Sequence, residues 1–185
     1  MSLASKRYSL ALIDIAKENN MLDEIYEQFK IVVKELTKEK KMWELINIPS
    51  IETSQQKQLI QTIFGGGINP YLNNFLMVLF DKNRFNELEF IFSAFKDYYF
   101  VEKNTVEASV LSVIKLSEEH IKAIQEKLEK RTNKNIIVTN EIDESIIGGI
   151  VIYFGDQVID GSIRSQLNSM KIELKSIRLQ ELGVN

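Results

Sequence analysis

The stretch Ile146–Ser162, IIGGIVIYFGDQVIDGS, sets four glycines and two aspartates within a run of β-branched residues. Read as a phosphate cradle or a metal site, it belongs to an enzyme; read as strand, turn and helix start, it is architecture. Gly148 and Gly149 run on into IVIYF, which continues as strand, so no helix N-terminus follows the pair to receive a phosphate. Glycines in a strand mark a bulge or a close backbone contact. Asp156 follows Gly155 in a predicted hairpin turn, and either Asp160 or Ser162 caps the helix that comes next. Asp143, Glu144, Asp156 and Asp160 lack the alternating spacing of a calcium loop. The expectation is two strands joined by a Gly-Asp turn and delivered to a helix.

That final helix, SIRSQLNSMKIELKSIRLQEL, carries Ile163, Leu167, Met170, Leu174 and Ile177 at alternating gaps of four and three. This is a heptad seam of about two repeats, which either packs on the domain's own sheet or meets another helix. Upstream, TVEASVLSVI after Asn104 is dense in β-branched residues and alternates in part, as a strand does. Ser117 then caps the helix EEHIKAIQEKLEKR, with acids in its first turn and Lys130 and Arg131 in its last. NIIVT supplies a further strand.

The first hundred residues follow a different grammar. Ser5–Glu18 places Tyr8, Ala11, Leu12, Ile15 and Ala16 at helical spacing, and Asn19-Asn20 ends that helix. In MLDEIYEQFKIVVKEL the apolar positions recur at i, i+3, i+4 and i+7, which defines one buried face. KMWELIN is a short helical segment stopped by Ile48-Pro49. Thr53–Gln56, TSQQ, fits a capping box opening a helix that runs to the glycines at 65–67. Asn69-Pro70 caps a fifth helix through about Lys82, and Asn86 caps a sixth. The fold class is therefore α+β: an N-terminal all-α six-helix bundle over residues 1–104, then a small α/β domain over 105–185.

Composition narrows the function. The chain has 185 residues, 44% hydrophobic and 26% charged, so it can bury a core. Net charge is -3 with acids and bases interspersed, which argues against nucleic acid as a partner. With no cysteine and a single histidine, neither a thiolate metal site nor a two-His metal site can be assembled, and His120, in the first turn of a polar helix, is not expected to serve a Ser-His-Asp triad. His120 is expected on the surface. Gly65–Gly67 follow a helix and lack the Lys-Ser/Thr of a Walker loop. No apolar run approaches the ~20 residues that span a bilayer, and the N-terminus has no secretory or transit character. No catalytic, cofactor or metal site is expected.

What stands out is surplus apolar surface. The fifth helix, PYLNNFLMVLF, carries Leu72, Leu76 and Leu79 on one stripe and Tyr71, Phe75 and Val78 on another. Either one stripe faces the bundle and the other a partner, or the helix is central and covered all round.

Taken together, SKRYSLALIDIA, NNFLMVLFDKNRFNEL with its turn at Asn83-Arg84-Phe85, and DESIIGGIVIYFGDQVIDGSIRSQL resemble the delta subunit of F-type ATP synthases, called the oligomycin-sensitivity-conferring protein in mitochondria. The resemblance spans nearly the whole chain. The last motif is the most specific: an acid, an apolar pair, Gly148-Gly149, a strand, the Gly155-Asp156 turn, and the Asp160-x-Ser162 helix start. Ser9 stands where alanine is common in that family, and the glycine-rich exit of the helix before residue 65 is longer than its usual pattern.

The resemblance implies a non-catalytic stator connector that holds the catalytic head against rotor torque during proton-driven ATP synthesis. It implies a groove between the first and fifth helices that takes the N-terminal helix of an alpha subunit. Carried onto this chain, that groove comprises Tyr8, Ala11, Leu12 and Ile15 on one side and Tyr71, Phe75, Val78 and Leu79 on the other. It further implies that the C-terminal domain holds the peripheral-stalk b subunit, with one copy per complex, no membrane insertion and a place on the cytoplasmic face of a bacterial membrane. The competing expectations are an unrelated helix-in-groove adaptor and a small enzyme using the C-terminal carboxylates.

Overall fold

A computed structural model describes residues 2–39, Trp43, Glu44, Ile46 and 51–181, with side chains as far as residue 172. The chain forms two compact units, residues 1–102 and 103–185.

The first unit is helical. Its helices are α1 (Leu3–Glu18), α2 (Leu22–Lys38), α3 (Thr53–Phe64), α4 (Pro70–Asp81) and α5 (Leu88–Glu102). The segment KMWELIN lies outside the described residues except for Trp43, Glu44 and Ile46, which are helical. The predicted fifth helix is thus α4 and the predicted sixth is α5. The core is aromatic and centred on Phe29, whose ring meets Phe75, Phe92 and Phe95 edge-on at centroid distances of 5.9, 5.1 and 5.6 Å. Such pairs contribute about 0.5–1.5 kcal/mol each beyond simple burial, and they join α2 to α4 and α5.

Asparagines shape the helix ends of this unit and the entry to the next. Asn20, Asn83 and Asn104 all have positive φ, the left-handed conformation that asparagine tolerates better than other side chains. At Asn83 the N–H reaches the Phe80 carbonyl and the Arg84 N–H reaches back to Leu79, a Schellman closure that turns the chain sharply at Arg84. Asn69 opens α4 as expected, accepting from the Tyr71 N–H with Pro70 in the first turn. It also donates to Glu24 on α2.

Two predicted caps do not form. Thr53 is already the first residue of α3, and Glu52 precedes it without a side-chain cap bond. The Gln56 amide instead donates to the Ile46 carbonyl, so the capping-box residue is spent on a tertiary contact. Asn86 sits inside a 3₁₀ turn, Phe85–Glu87, that leads directly into α5. The burial of Phe85 and its stacking on Phe80 at 4.0 Å explain why that turn is held tight.

The second unit has a four-stranded sheet in the order β2-β1-β3-β4. Its strands are β1 (Thr105–Ser112), β2 (Asn135–Ile142), β3 (Ile150–Phe154) and β4 (Gln157–Asp160), with α6 (Glu118–Thr132) between β1 and β2 and α7 (Ile163–Glu181) at the end. β1 and β2 are parallel, as a helical crossover requires, while β3 pairs antiparallel with both β1 and β4. Ala108, Val110, Ile136 and Ile152 from the sheet bury with Leu128 of α6. Ser117 caps α6 by accepting from the His120 N–H, and His120 is exposed. No described helix is long and apolar enough to cross a membrane.

Candidate partner-binding groove

α1 buries a face that apolar counting missed. Its buried residues are Ser5, Ser9, Leu12, Ile13 and Ala16. The small side chains let α1 lie against α5, and burial of a hydroxyl is tolerable only if it is satisfied. The Ser9 Oγ meets that condition, lying 2.7 Å from the Ile91 carbonyl of α5 and 2.8 Å from the Ser5 carbonyl one turn back. Ser9 therefore acts as a small polar joint between two helices. Once this face is buried, Ala11 and Ile15 are left outside, with Tyr8 half-buried between.

α4 divides in the same way. Leu72, Phe75, Leu76, Leu79 and Phe80 are buried, whereas Tyr71 and Val78 keep 41% and 43% of their surface, as Ile15 across from them keeps 38%. The fifth predicted helix is thus not covered all round. Two contacts set the helices side by side. The Tyr8 ring meets Phe75 edge-on at 6.5 Å, and the Tyr71 hydroxyl donates to Asn19 Oδ1 at 3.0 Å. α1 and α4 consequently run antiparallel, with the start of α1 beside the end of α4.

The expected groove residues differ in exposure. Leu12 and Leu79 are fully buried in the bundle core and Phe75 nearly so, because each lies on the inward stripe of its helix. They lie beneath the exposed residues of α1 and α4 and present little or no surface of their own. The reachable members are Tyr8, Ala11, Ile15, Tyr71 and Val78.

One end of this surface is electrostatically built. Glu87 accepts at one carboxylate oxygen from the Ser2 and Ser5 hydroxyls at 2.5 and 2.8 Å, and at the other from Arg84 Nη1 at 2.5 Å. These donors, the Ser2 hydroxyl foremost, hold the Glu87 carboxyl down at about 2 from an ordinary 4.5. Ser2 also caps α1 by accepting from the Ser5 N–H at 3.1 Å. The cluster pins the start of α1 to the turn after α4, and beside it Ala4, Arg7, Tyr8, Ala11 and Arg84 line a hollow of about 400 Å³. Sequence reading did not find this cluster, since Ser5 and Glu87 lie 82 positions apart and nothing local reports the pairing.

In the second unit the glycine-rich stretch is architecture. Gly155 has φ +54°, as the first position of a tight two-residue hairpin turn demands, and Asp156 beside it is exposed. Gly148 and Gly149 precede β3 rather than lying within it, so of the two expectations, a bulge or a close backbone contact, only the second applies, at Gly149. Gly149 has φ +82°, and a Cβ there would stand 2.3 Å from the Gly161 carbonyl. A Cβ on Gly148 would meet only the flexible tip of Ile163, at 2.6 Å. Of the two candidate caps, Ser162 is the helix cap, accepting from the Ser165 N–H at 3.2 Å. Asp160 instead accepts from the Ser162 N–H at 2.8 Å, and the Ser162 hydroxyl foremost, with that N–H second, lowers its pKa. Among the described residues, no group of three or more His, Cys, Asp or Glu is placed to hold a metal.

The seam of α7 departs from one expectation. Ile163, Leu167 and Met170 are 43%, 58% and 57% exposed, so this part of the seam does not pack on the domain's own sheet. The side chains of Leu174 and Ile177 lie outside those described.

A sequence model of the ATP synthase delta (OSCP) subunit family matches residues 4–174. The ATP synthase subunit delta of Clostridioides difficile is 32% identical over 96% of this chain and 98% of its own. That of Clostridium perfringens is 36% identical over 90% of this chain and 93% of its own. Among solved structures, a chain in the mitochondrial ATP synthase hexamer of Toxoplasma gondii shares the fold, with a TM-score of 0.72 at 22% identity, covering 94% of this chain and 98% of that one.

Proposed function

The chain belongs to the ATP synthase delta (OSCP) subunit family, and from that membership we propose how its surfaces join a catalytic head to a peripheral stalk. As a member it is a non-catalytic stator component of an F-type ATP synthase. In the reading proposed here, residues 1–104 form a six-helix bundle. The N-terminal helix of an alpha subunit lies in the groove between α1 and α4. Residues 105–185 hold the end of a b subunit, for which the exposed seam of α7 is the available helical face. One copy serves each complex, on the cytoplasmic side of the membrane.

The observation that carries this reading is the apolar surface left open on two adjacent helices, at Ile15, Tyr71 and Val78. A free monomer gains nothing from exposing it. An amphipathic helix laid into such a groove buries anchors worth about 1.5–3 kcal/mol each when fully covered. A stator link under repeated torque has to dissociate slowly, and burial of anchors acts chiefly through the off-rate.

The test uses the full chain and a synthetic peptide copying the N-terminal segment of the alpha subunit from the same source. Val78→Asp should weaken binding at least ~10-fold, about 1.4 kcal/mol, with the melting temperature held. Undiminished binding by this variant would overturn the groove. Val78 is the better probe than Phe75, whose replacement by Asp would also disrupt the Phe29 cluster.

A further inference from the structure

We propose that the groove also reads the direction of the helix it takes: a carboxylate side chain on the partner helix docks in the hollow between Arg7 and Arg84, placing the partner's acidic end at the start of α1. The inference rests on the proposed groove reading and adds a specificity device to it.

The two cations differ in what they already hold. Arg84 uses Nη1 on Glu87, and 49% of its side chain remains exposed. Arg7 is exposed and has no hydrogen bond or ion pair among the described residues. Glu87 thus serves Arg84 alone, and the hollow between the two guanidiniums is about 400 Å³, ample for a carboxylate side chain and its hydration. A guanidinium fork is matched to a carboxylate, and it favours that group over a plain hydroxyl or amide. Arg84 is held in place because the Asn83 turn and Glu87 both fix it.

The rim supplies the opposite charge at its other end. Positions 7, 11, 14 and 18 fall on one stripe of α1 by helical spacing. That stripe therefore runs from Arg7, past Ala11, to Asp14 and Glu18, both exposed. Beside Glu18 the end of α1 meets the start of α4 through Asn19 and Tyr71. The groove is thus positive at the Arg7 end and negative at the Asn19 end, with apolar residues between. A partner helix with the reverse gradient fits one way round and is repelled the other way, which is how charge at a rim sets orientation.

The experiment uses the full chain and the alpha-subunit peptide, with each Asp or Glu of the peptide replaced in turn by its amide. Arg7→Gln should weaken binding about three- to tenfold at low salt, and the difference should shrink as salt rises. It should leave the melting temperature unchanged, since Arg7 supports nothing in the fold. One peptide carboxylate should show the same loss when amidated against the native chain and little further loss against Arg7→Gln. Arg7→Glu should be rescued by Lys at that peptide position. If every carboxylate behaves independently of Arg7, or the charge swap gives no rescue while Val78→Asp still abolishes binding, the direction-reading inference falls and the groove stands. If Val78→Asp has no effect, or the native peptide does not bind, both fall.

Discussion

Glu87 shows how one side chain can hold a domain's opening element. Its carboxylate gathers hydroxyls from the first turn of α1 and a guanidinium from the turn after α4, so its charged form is favoured in the folded chain. The folded value of about 2 lies below the ordinary 4.5. The stabilisation is therefore complete above that ordinary value and is lost as pH falls toward about 2. Glu87→Gln should lower stability at neutral pH by about 1–2 kcal/mol and flatten the acid limb of the unfolding curve, which denaturant titrations between pH 2 and 6 would measure. An unchanged acid limb would show that the cluster contributes nothing. Ser9 belongs to the same scale. Its position in the first helix was legible, but its role was not, because a serine reads as a surface residue until the Ile91 carbonyl of another helix is brought to it.

At the scale of elements, helix ends proved more legible than helix faces. The Asn69-Pro70 start, the Ser117 cap and the Asn19-Asn20 break all depend on backbone groups within a few residues, and each stands where its local chemistry put it. The exceptions were Thr53 and Asn86, whose neighbourhoods were claimed by tertiary contacts at Ile46 and Phe80. The positive φ at Asn83 predicts a graded response. Asn83→Gly should be nearly neutral, whereas Asn83→Ala should cost about 1 kcal/mol and misplace Arg84, read as a lower melting temperature together with weaker peptide binding. Equal stability of the two variants would contradict the Schellman account. Gly149→Ala is the corresponding test in the second unit. With φ +82° and the Gly161 carbonyl in the way, it should destabilise that unit by about 2 kcal/mol or more, while Gly148→Ala should cost less because only a side-chain tip has to move.

For the whole molecule, the division into residues 1–102 and 103–185 carries its own expectation. A fragment ending near Lys103 should melt cooperatively and still bind the alpha-subunit peptide, because its aromatic core and groove are complete without the sheet. A non-cooperative melt would mean that the second unit is needed to close the first. The change from helical to strand grammar after Asn104 and the strand-turn-strand reading of Ile146–Ser162 were both determined by sequence alone. Each depends on periodicity or turn chemistry, properties a chain carries before it folds. Which of two apolar stripes stays open could not be determined that way. Leu79 and Val78 are neighbouring aliphatic residues, yet one is buried and the other 43% exposed, and only the docking of α4 against its neighbours decides between them. The same holds for the seam of α7, left open at Ile163, Leu167 and Met170, and for Arg7 and Arg84, which line one hollow only because α1 and α4 run antiparallel. Helix spacing sets which residues share a face, but the direction a face turns is settled by packing between segments far apart in the chain.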